Sequence, residues 1–526
     1  MGVGERDLYD PDSGVKRGLK ARHLSMMALA GIIGPGLLVG AGGALASGGP
    51  AALLIGFGVI GIIAFTIMQS LGELATLYPT ADSSFAGLGN RFVDPAFGAV
   101  LGWNYFVIWV AVLANEYNTV SSILSFWSEK VPLWGYFLLF WFLFLGFQLL
   151  GIVAFGEAEF WLALIKLLGL IAFFFFSIIY ASGGVKGADA IGFRYWRDPG
   201  AFTAGFGGVA TVFVFCSTFY AGVESVAVAA TETRNPGKAI PAAIRQVFWR
   251  IIVVYMGSAF FFGLTVPSNA PGLVNSNADD ALQSPMTIAL QNAGFAAGVH
   301  LVNAFILITC ISAVNSSIYI GSRTVLYMAQ AQPIRFAPKF LAWTDKRGVP
   351  VPAIVFTNLF GCLALMNVST GAGKAYQYIV NLSGVSTFIV WGGISLVHIR
   401  FRRAWTSQGR SISELPYKAL GYPFTGYFGL IANIILSLIQ GWTTFKPFVA
   451  GKFVDAYILL PLSGIVYIVF KLINRTHILR AHEIDIYSGQ RKDIDSTTDE
   501  EDDQVLISRE NSKKNAFQSV VSVFKK

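Results

Sequence analysis

Long runs of apolar residues, separated by short polar stretches, dominate this chain of 526 residues until about position 473. A helix needs about 20 mostly apolar residues to cross the hydrocarbon core of a bilayer. Runs of that kind predict twelve spans, numbered here in chain order: 25–48, 51–77, 97–128, 133–155, 158–181, 205–230, 245–267, 286–330, 351–369, 376–400, 425–447 and 453–473. We therefore expect an all-α polytopic membrane protein.

Two of the predicted spans are interrupted. In the first, three glycines and a proline lie within the six residues Gly31–Gly36, which lowers helix propensity and removes a backbone donor. In the sixth, a second interruption surrounds Gly222. Irregular backbone survives in hydrocarbon only where it lines a cavity. Two such breaks, each in the first span of one half of the chain, predict a transporter with inverted repeats and a site at the membrane midplane. A glycine-rich helix-packing face is the structural alternative.

Composition excludes a soluble protein. Hydrophobic residues make up 54% of the chain and charged residues only 13%, whereas an average soluble domain is about 25% charged. The net charge of +8 does not indicate nucleic-acid binding, because Lys and Arg are expected on one side of the membrane. With the N-terminus inside, inner loops and the N-tail carry 19 of them and outer loops 7, counting Arg250 in an inner loop. This bias predicts that both termini are cytoplasmic.

These signals divide the chain into five parts. They are a cytoplasmic N-tail (1–24), a first transmembrane repeat of spans one to five (25–181), a second repeat of spans six to ten (205–400), two further spans (425–473) and a cytoplasmic C-tail (474–526). The C-tail contains an acidic run at 493–503 and is too polar to bury a core, so we expect it to be disordered. A trafficking role for it is an alternative to a merely solvated tail.

A broken helix offers two kinds of ligand-binding end. Free N–H groups at the start of a half-helix favour an anion, and free carbonyls at the end of one favour a cation. A zwitterion with both charges on one carbon fits this pair of ends. We therefore expect α-amino acids as substrates, although other small polar solutes also satisfy the physics. Gly31, Pro35 and Gly222 are expected to be structural residues of the breaks.

Three ionisable residues within the predicted spans are candidates for chemistry. A carboxylate at the bilayer centre costs about 3 kcal/mol, so Glu116 is expected to carry a proton, contact the substrate ammonium or bond to a neighbouring helix. Lys166 is expected either to supply an ammonium that replaces a bound cation and is lost on deprotonation, or to snorkel to an interface or pair with Glu159. Glu224 follows the second break, where its carboxylate is expected to accept hydrogen bonds that hold the unwound segment.

Other chemistry has no sequence support. No phosphate-binding Gly-Lys-Ser/Thr motif, zinc-ligand spacing or nucleophile–base constellation is present. We expect no metal, no cofactor other than a proton gradient as driving force, no nucleic-acid partner and no enzymatic activity. A channel is disfavoured because no ring of pore charges accompanies the breaks.

Several segments together resemble the fungal amino-acid permeases, the yeast amino acid transporter family of the amino acid–polyamine–organocation (APC) superfamily. The resemblance extends from about Gly14 to Lys471. Its motifs include Arg22-His23-Leu24-Ser25, Phe155-Gly156-Glu157-Ala158-Glu159, Ala230-Thr231-Glu232-Thr233-Arg234-Asn235-Pro236 and Asn381-Leu382-Ser383-Gly384. The phrase Asn115-Glu116-Tyr117-Asn118 is most similar to the broad-range general permeases.

The resemblance implies a LeuT-like fold of five-plus-five inverted repeats with two extra helices, and proton-coupled uptake by alternating access. It places the substrate carboxylate near Gly34 and Gly36. It places the ammonium near carbonyls of Ile32, Thr218 and Ala221. An aromatic gate falls at Phe219 or Tyr220, side-chain contacts at Asn315 and Ser383, and proton coupling at Glu116 and Lys166.

One position departs from the family. Most members have Thr where this chain has Pro35, which offers neither a hydroxyl nor an N–H group. Weaker carboxylate binding is the expected consequence, since one hydrogen bond contributes roughly 1 kcal/mol.

The sequence thus predicts a broad-range, proton-coupled amino acid permease of the plasma membrane. Its expected partners are the amino acid, the lipid bilayer and trafficking or ubiquitination machinery at the tails. A non-transporting amino acid sensor on the same scaffold is the alternative, disfavoured by the short N-tail.

Overall fold

The computed structural model describes residues 14–490 except 32, 35, 80–83, 188, 234–235, 275–283, 296, 333, 369 and 446. The chain divides into two compact units, Met1–Ile486 and Tyr487–Lys526. Of the second unit only Tyr487–Gln490 is described. Most of the predicted C-tail, including its acidic run, and residues 1–13 of the N-tail lie outside the described residues.

The described part of the first unit is built from helices. Seven are long and apolar enough to cross a membrane, a bent pair makes an eighth, and four shorter apolar helices fall where spans are predicted. The spans after the first are, in order: Pro50–Leu77, Pro95–Trp127, Leu133–Gln148, Ile152–Ala181, Gly205–Ala230, Gly237–Thr265, Gly298–Gln330, Val351–Asn367, Leu382–Ser407, Phe424–Ile439 and the bent pair Ala450–Tyr457 with Leu459–Asn474. The predicted all-α membrane fold is confirmed.

Local backbone chemistry sets several boundaries. The third span begins at Pro95, and the Asp94 carboxylate before it accepts the Phe97 N–H at 2.8 Å, as expected of an N-cap. Gly151, with a φ of +94°, separates the fourth span from the fifth. The fifth span therefore begins at Ile152 rather than at the predicted 158. The predicted eighth span 286–330 is two helices, Pro285–Asn292 and Gly298–Gln330.

Both predicted helix breaks are present. The first span consists of Ala21–Met26 and the π-helical turn Met27–Gly31, a non-helical stretch containing Ile33 and Gly34, and a second half, Gly36–Gly48. The sixth span is helical over Gly205–Tyr220, forms a turn over residues 221–224 and resumes at Ser225–Ala230. Gly222 adopts a φ of +98° in this turn, a conformation that favours glycine.

The broken spans lie in the interior of the helical bundle. The sixth span packs along the second and along the second half of the first, while the third packs along the eighth and tenth. Gly56 permits one close approach, because a Cβ there would lie 2.6 Å from a Val212 methyl group. Apolar side chains such as Phe142 and Phe175 point outward, each about 64% exposed, as expected of a lipid-facing surface.

Candidate substrate site

A cavity of about 450 Å³ lies where the two breaks meet the third, eighth and tenth spans. Residues at both breaks line it, namely Gly34, Gly36, Thr218, Phe219 and Ala221. From other spans, Glu116 and Ser383 also face it. The structure thus brings together seven of the residues singled out in the sequence.

Other predicted site residues lie behind the cavity wall. Tyr220 is fully buried, and its hydroxyl donates to the Phe57 carbonyl at 2.9 Å. Asn315 is held by Gln148, whose Nε2 donates to its side-chain oxygen at 2.7 Å. Lys166 is fully buried and does not line the cavity. Of the two aromatic gate candidates, Phe219 is the one at the cavity. Ile32 and Pro35 lie outside the described residues.

The second break is held by the Glu224 carboxylate. Gly222 N–H lies 3.1 Å from each of its oxygens, and the Trp391 indole N–H donates to Oε2 at 2.9 Å. Glu224 is fully buried, where a carboxylate needs such donors. Its donors come from the turn itself and from the tenth span, so Glu224 fastens the unwound backbone to a neighbouring helix.

A second group of buried charges adjoins the cavity. Glu116 is 4% exposed, and Lys166 interacts electrostatically with both Glu116 and Glu159. Glu159 accepts a hydrogen bond from the Ser312 hydroxyl at 2.5 Å. One cation therefore lies near two carboxylates, of which Glu116 faces the cavity and Glu159 does not. Glu159, the partner considered for Lys166 in the sequence, is thus within electrostatic reach of it, and Glu116 is an additional one.

Arg250 is a buried residue that the sequence interpretation missed. The orientation count placed it in an inner loop, but it lies in the seventh span with no exposed surface. Its Nη2 donates to the Tyr255 hydroxyl at 2.6 Å, and that hydroxyl donates to the Phe219 carbonyl at 2.9 Å. Its Nη1 donates to the Ala28 carbonyl at 3.4 Å. The predicted seventh span, 245–267, already contains Arg250, and a cation inside a span needs a partner, but nothing in the sequence identifies Ala28 or Phe219 as residues that it reaches.

Further lining residues were also missed. Thr119 lies three residues after Glu116, so helical spacing from that carboxylate indicates it, and Asn115 lies four residues before Thr119 on the same face. Gln440 and Trp442 come from the connection after the eleventh span, and Asp455 comes from the twelfth span. These segments carry no motif that links them to the breaks, so only their packing reveals the contribution.

Ionic contacts lie at the ends of spans on the side of the bundle that carries the N-terminal segment. Glu157 pairs with Arg22, Glu232 with Arg323, and Glu73 with Arg402. The cavity instead reaches the eleventh–twelfth connection, which lies at the opposite ends of the spans. The described conformation is therefore fastened on the N-terminal side, while the cavity extends the other way.

The fold and cavity define a class, the polytopic α-helical membrane proteins in which two broken helices enclose a central site. Residues 23–483 match the amino acid permease family, and the chain belongs to that family. It is 57% identical over 503 residues to the general amino acid permease AGP3 of Saccharomyces cerevisiae, covering 95% of this chain and 89% of the relative. The basic amino-acid permease of the same yeast is 39% identical over 490 residues, covering 91% and 85%.

Solved structures support the fold. A crystal structure of the manganese transporter of Eremococcus coleocola superposes with a TM-score of 0.51, covering 86% of this chain and 94% of that one. At 12% sequence identity, this likeness concerns the fold, and the two proteins' substrates do not follow from it.

Proposed function

We propose that this protein is a secondary active transporter that takes up amino acids with protons by alternating access. The proposal rests on one observation: the positive end of one half-helix and the negative end of another face the same cavity. The second half of the first span begins at Gly36, and the first half of the sixth ends at Tyr220. Both ends meet at the cavity through Gly36 and Phe219.

The two ends suit the two charges of an α-amino acid. N–H groups at Gly34 and Gly36 would receive the carboxylate, because the start of a half-helix carries roughly half a positive charge. Carbonyls near Thr218 and Ala221 would receive the ammonium, because the end of a half-helix is negative. Ser383 and Asn115 lie on other walls and are available to the substrate side chain. The cavity of about 450 Å³ suits a broad range of amino acids.

Proton coupling is assigned to Glu116 and Lys166. Glu116 faces the cavity, and Lys166 lies behind it within electrostatic reach. A proton that neutralises the Glu116 carboxylate removes one of the two carboxylate countercharges of Lys166, so protonation on one side of the membrane alters the charges beside the substrate. The proton gradient then serves as the driving force without a bound cofactor.

We further propose a plasma-membrane location with both termini in the cytoplasm. The Lys and Arg bias supports this orientation. In it the cavity extends outward and the paired charges close the inner side, as an outward-facing uptake state requires. The cytoplasmic tails are then available to trafficking and ubiquitination machinery.

Uptake by a yeast strain lacking its own amino acid permeases tests the proposal. Cells that express the full chain are expected to accumulate several of the twenty labelled amino acids, and a protonophore is expected to abolish accumulation. Surface expression without any uptake would favour the alternative of a sensor. Uptake that a protonophore does not change would contradict the proton coupling.

A further inference from the structure

One guanidinium connects the two helix breaks. Arg250 donates to the carbonyl of Ala28, which lies in the last turn before the first break. Through the Tyr255 hydroxyl it also reaches the carbonyl of Phe219, in the last turn before the second break. The last four carbonyls of a helix lack partners within the helix. Both carbonyls belong to this group.

Charge balance explains why an arginine can be buried here. A fully buried cation is costly unless opposite charge lies close to it. Each helix end carries roughly half a negative charge, so two such ends together supply about one. Glu224 lies within electrostatic range of the same guanidinium, as does the cation Lys166. Arg250 is thus placed where the negative ends of two half-helices converge.

The hydroxyl of Tyr255 acts as the intermediate in this chain of contacts. Its ring packs against Tyr220 with a centroid distance of 4.0 Å and against Phe57 at 5.8 Å. Packing on two sides restrains the ring, so its hydroxyl presents one fixed donor to the Phe219 carbonyl. Phe219 itself lines the cavity. A substitution at Tyr255 would therefore alter the Phe219 carbonyl at the cavity without removing a group that contacts the substrate.

We propose that Arg250 and Tyr255 are positioning residues that set the carbonyl ends at the two breaks and thereby determine how well the substrate amine is recognised. This inference rests on the proposed amino acid transport. The carbonyl end of the sixth span's first half would receive the ammonium, whereas the carboxylate would meet the start of the first span's second half. Disturbing Arg250 or Tyr255 should thus impair amine recognition more than carboxylate recognition.

The Tyr255→Phe variant keeps the packed ring and removes the hydroxyl. The full chain is expressed in the permease-deficient strain, and uptake of labelled L-leucine is competed with N-methyl-L-leucine and with L-leucinamide. We expect the KM for leucine to rise about fivefold, the effect of one lost hydrogen bond. The ratio of the N-methyl-leucine Ki to the leucine KM should fall, while the corresponding leucinamide ratio stays unchanged. Arg250→Lys should change the same ratio in the same direction.

Tyr78→Phe is the matched control, because the buried Tyr78 hydroxyl also donates to a backbone carbonyl, that of Ile486, at 2.8 Å. Both ratios should stay at the wild-type value in this variant. Equal changes in the two ratios of Tyr255→Phe, or no change in either, would overturn the inference. For a variant that does not reach the surface, the same ratios come from competition binding to purified protein. If wild-type protein neither binds nor takes up any of the twenty amino acids, the proposed function itself fails.

Discussion

Arg323 of the eighth span and Glu232, two residues beyond the sixth, form a buried ion pair with two hydrogen bonds. Nε lies 2.7 Å from Oε1, and Nη2 lies 3.4 Å from Oε2. The side chains are 3% and 0% exposed. The guanidinium also lies 4.4 Å from the ring centroid of Tyr319. This pair ties the end of a broken helix to an unbroken one.

Glu232→Gln is expected to lower the thermal unfolding midpoint of the purified protein in detergent. The substitution leaves the Arg323 cation buried without its countercharge, which costs about 3–5 kcal/mol. Arg347→Ala is the control, because it removes an ion pair with Asp345 in which the Arg347 side chain is 63% exposed. Exposed pairs contribute about 0–1 kcal/mol, so a similar fall in both variants would contradict the assigned role of burial.

Glu224→Gln is expected to reduce amino acid uptake about tenfold or more at equal surface abundance. The amide NH₂ would face the N–H of either Gly222 or Trp391, and an unsatisfied buried donor costs about 1–3 kcal/mol. Trp391→Phe, which removes only one donor to Glu224, should be milder. Labelled uptake measures both variants. A larger loss in Trp391→Phe would show that the carboxylate does not hold the turn.

Glu116→Gln is expected to abolish proton-driven accumulation and to preserve exchange of labelled for unlabelled amino acid. The amide keeps the size of the carboxylate but binds no proton in the physiological range. Accumulation and exchange in proteoliposomes, with and without an imposed pH gradient, separate the two activities. Glu414→Gln, in the loop before the eleventh span, neutralises a carboxylate that does not line the cavity and should leave both activities unchanged. Accumulation by Glu116→Gln at the wild-type level would exclude Glu116 as the proton carrier.

Gly98→Ala is expected to destabilise the protein, and Gly146→Ala is not. A Cβ at position 98 would lie 2.5 Å from the Ala86 carbonyl oxygen and 2.7 Å from Asn90 N. Because both are backbone atoms, a helix must shift, at a cost of roughly 1–3 kcal/mol. At position 146 nothing lies within 4 Å of the added carbon. Thermal unfolding of the two variants in the same detergent provides the comparison, and matching midpoints would contradict the close helix approach.

Much of the helical framework follows from local sequence properties. Run length predicts the apolar segments, and glycine content predicts both breaks, at 31–36 and around Gly222. Some boundaries do not follow, because Gly151 lies within a continuous apolar run and its positive φ is not visible in hydropathy. The fifth span consequently begins earlier than predicted.

The residues of the candidate site likewise include some that the sequence identifies and others that only the structure reveals. Glu116 is identifiable because a carboxylate in an apolar run needs a cavity or a partner wherever the helix lies. Whether Tyr220 or Phe219 faces the cavity depends on the rotation of the helix about its axis, which is set by contacts with other spans. The hydroxyl of Tyr220 meets Phe57 of the second span, a contact absent from the local sequence.

The sequence by itself determined the class of membrane protein, the places where two helices break and the acid at the cavity. These properties depend on residues within a few turns of one another. Only the tertiary structure decided that Arg250 joins the two breaks, since Ala28 lies 222 positions away along the chain. It also decided that the twelfth span and the connection before it line the cavity, because packing between distant helices determines which buried groups become neighbours.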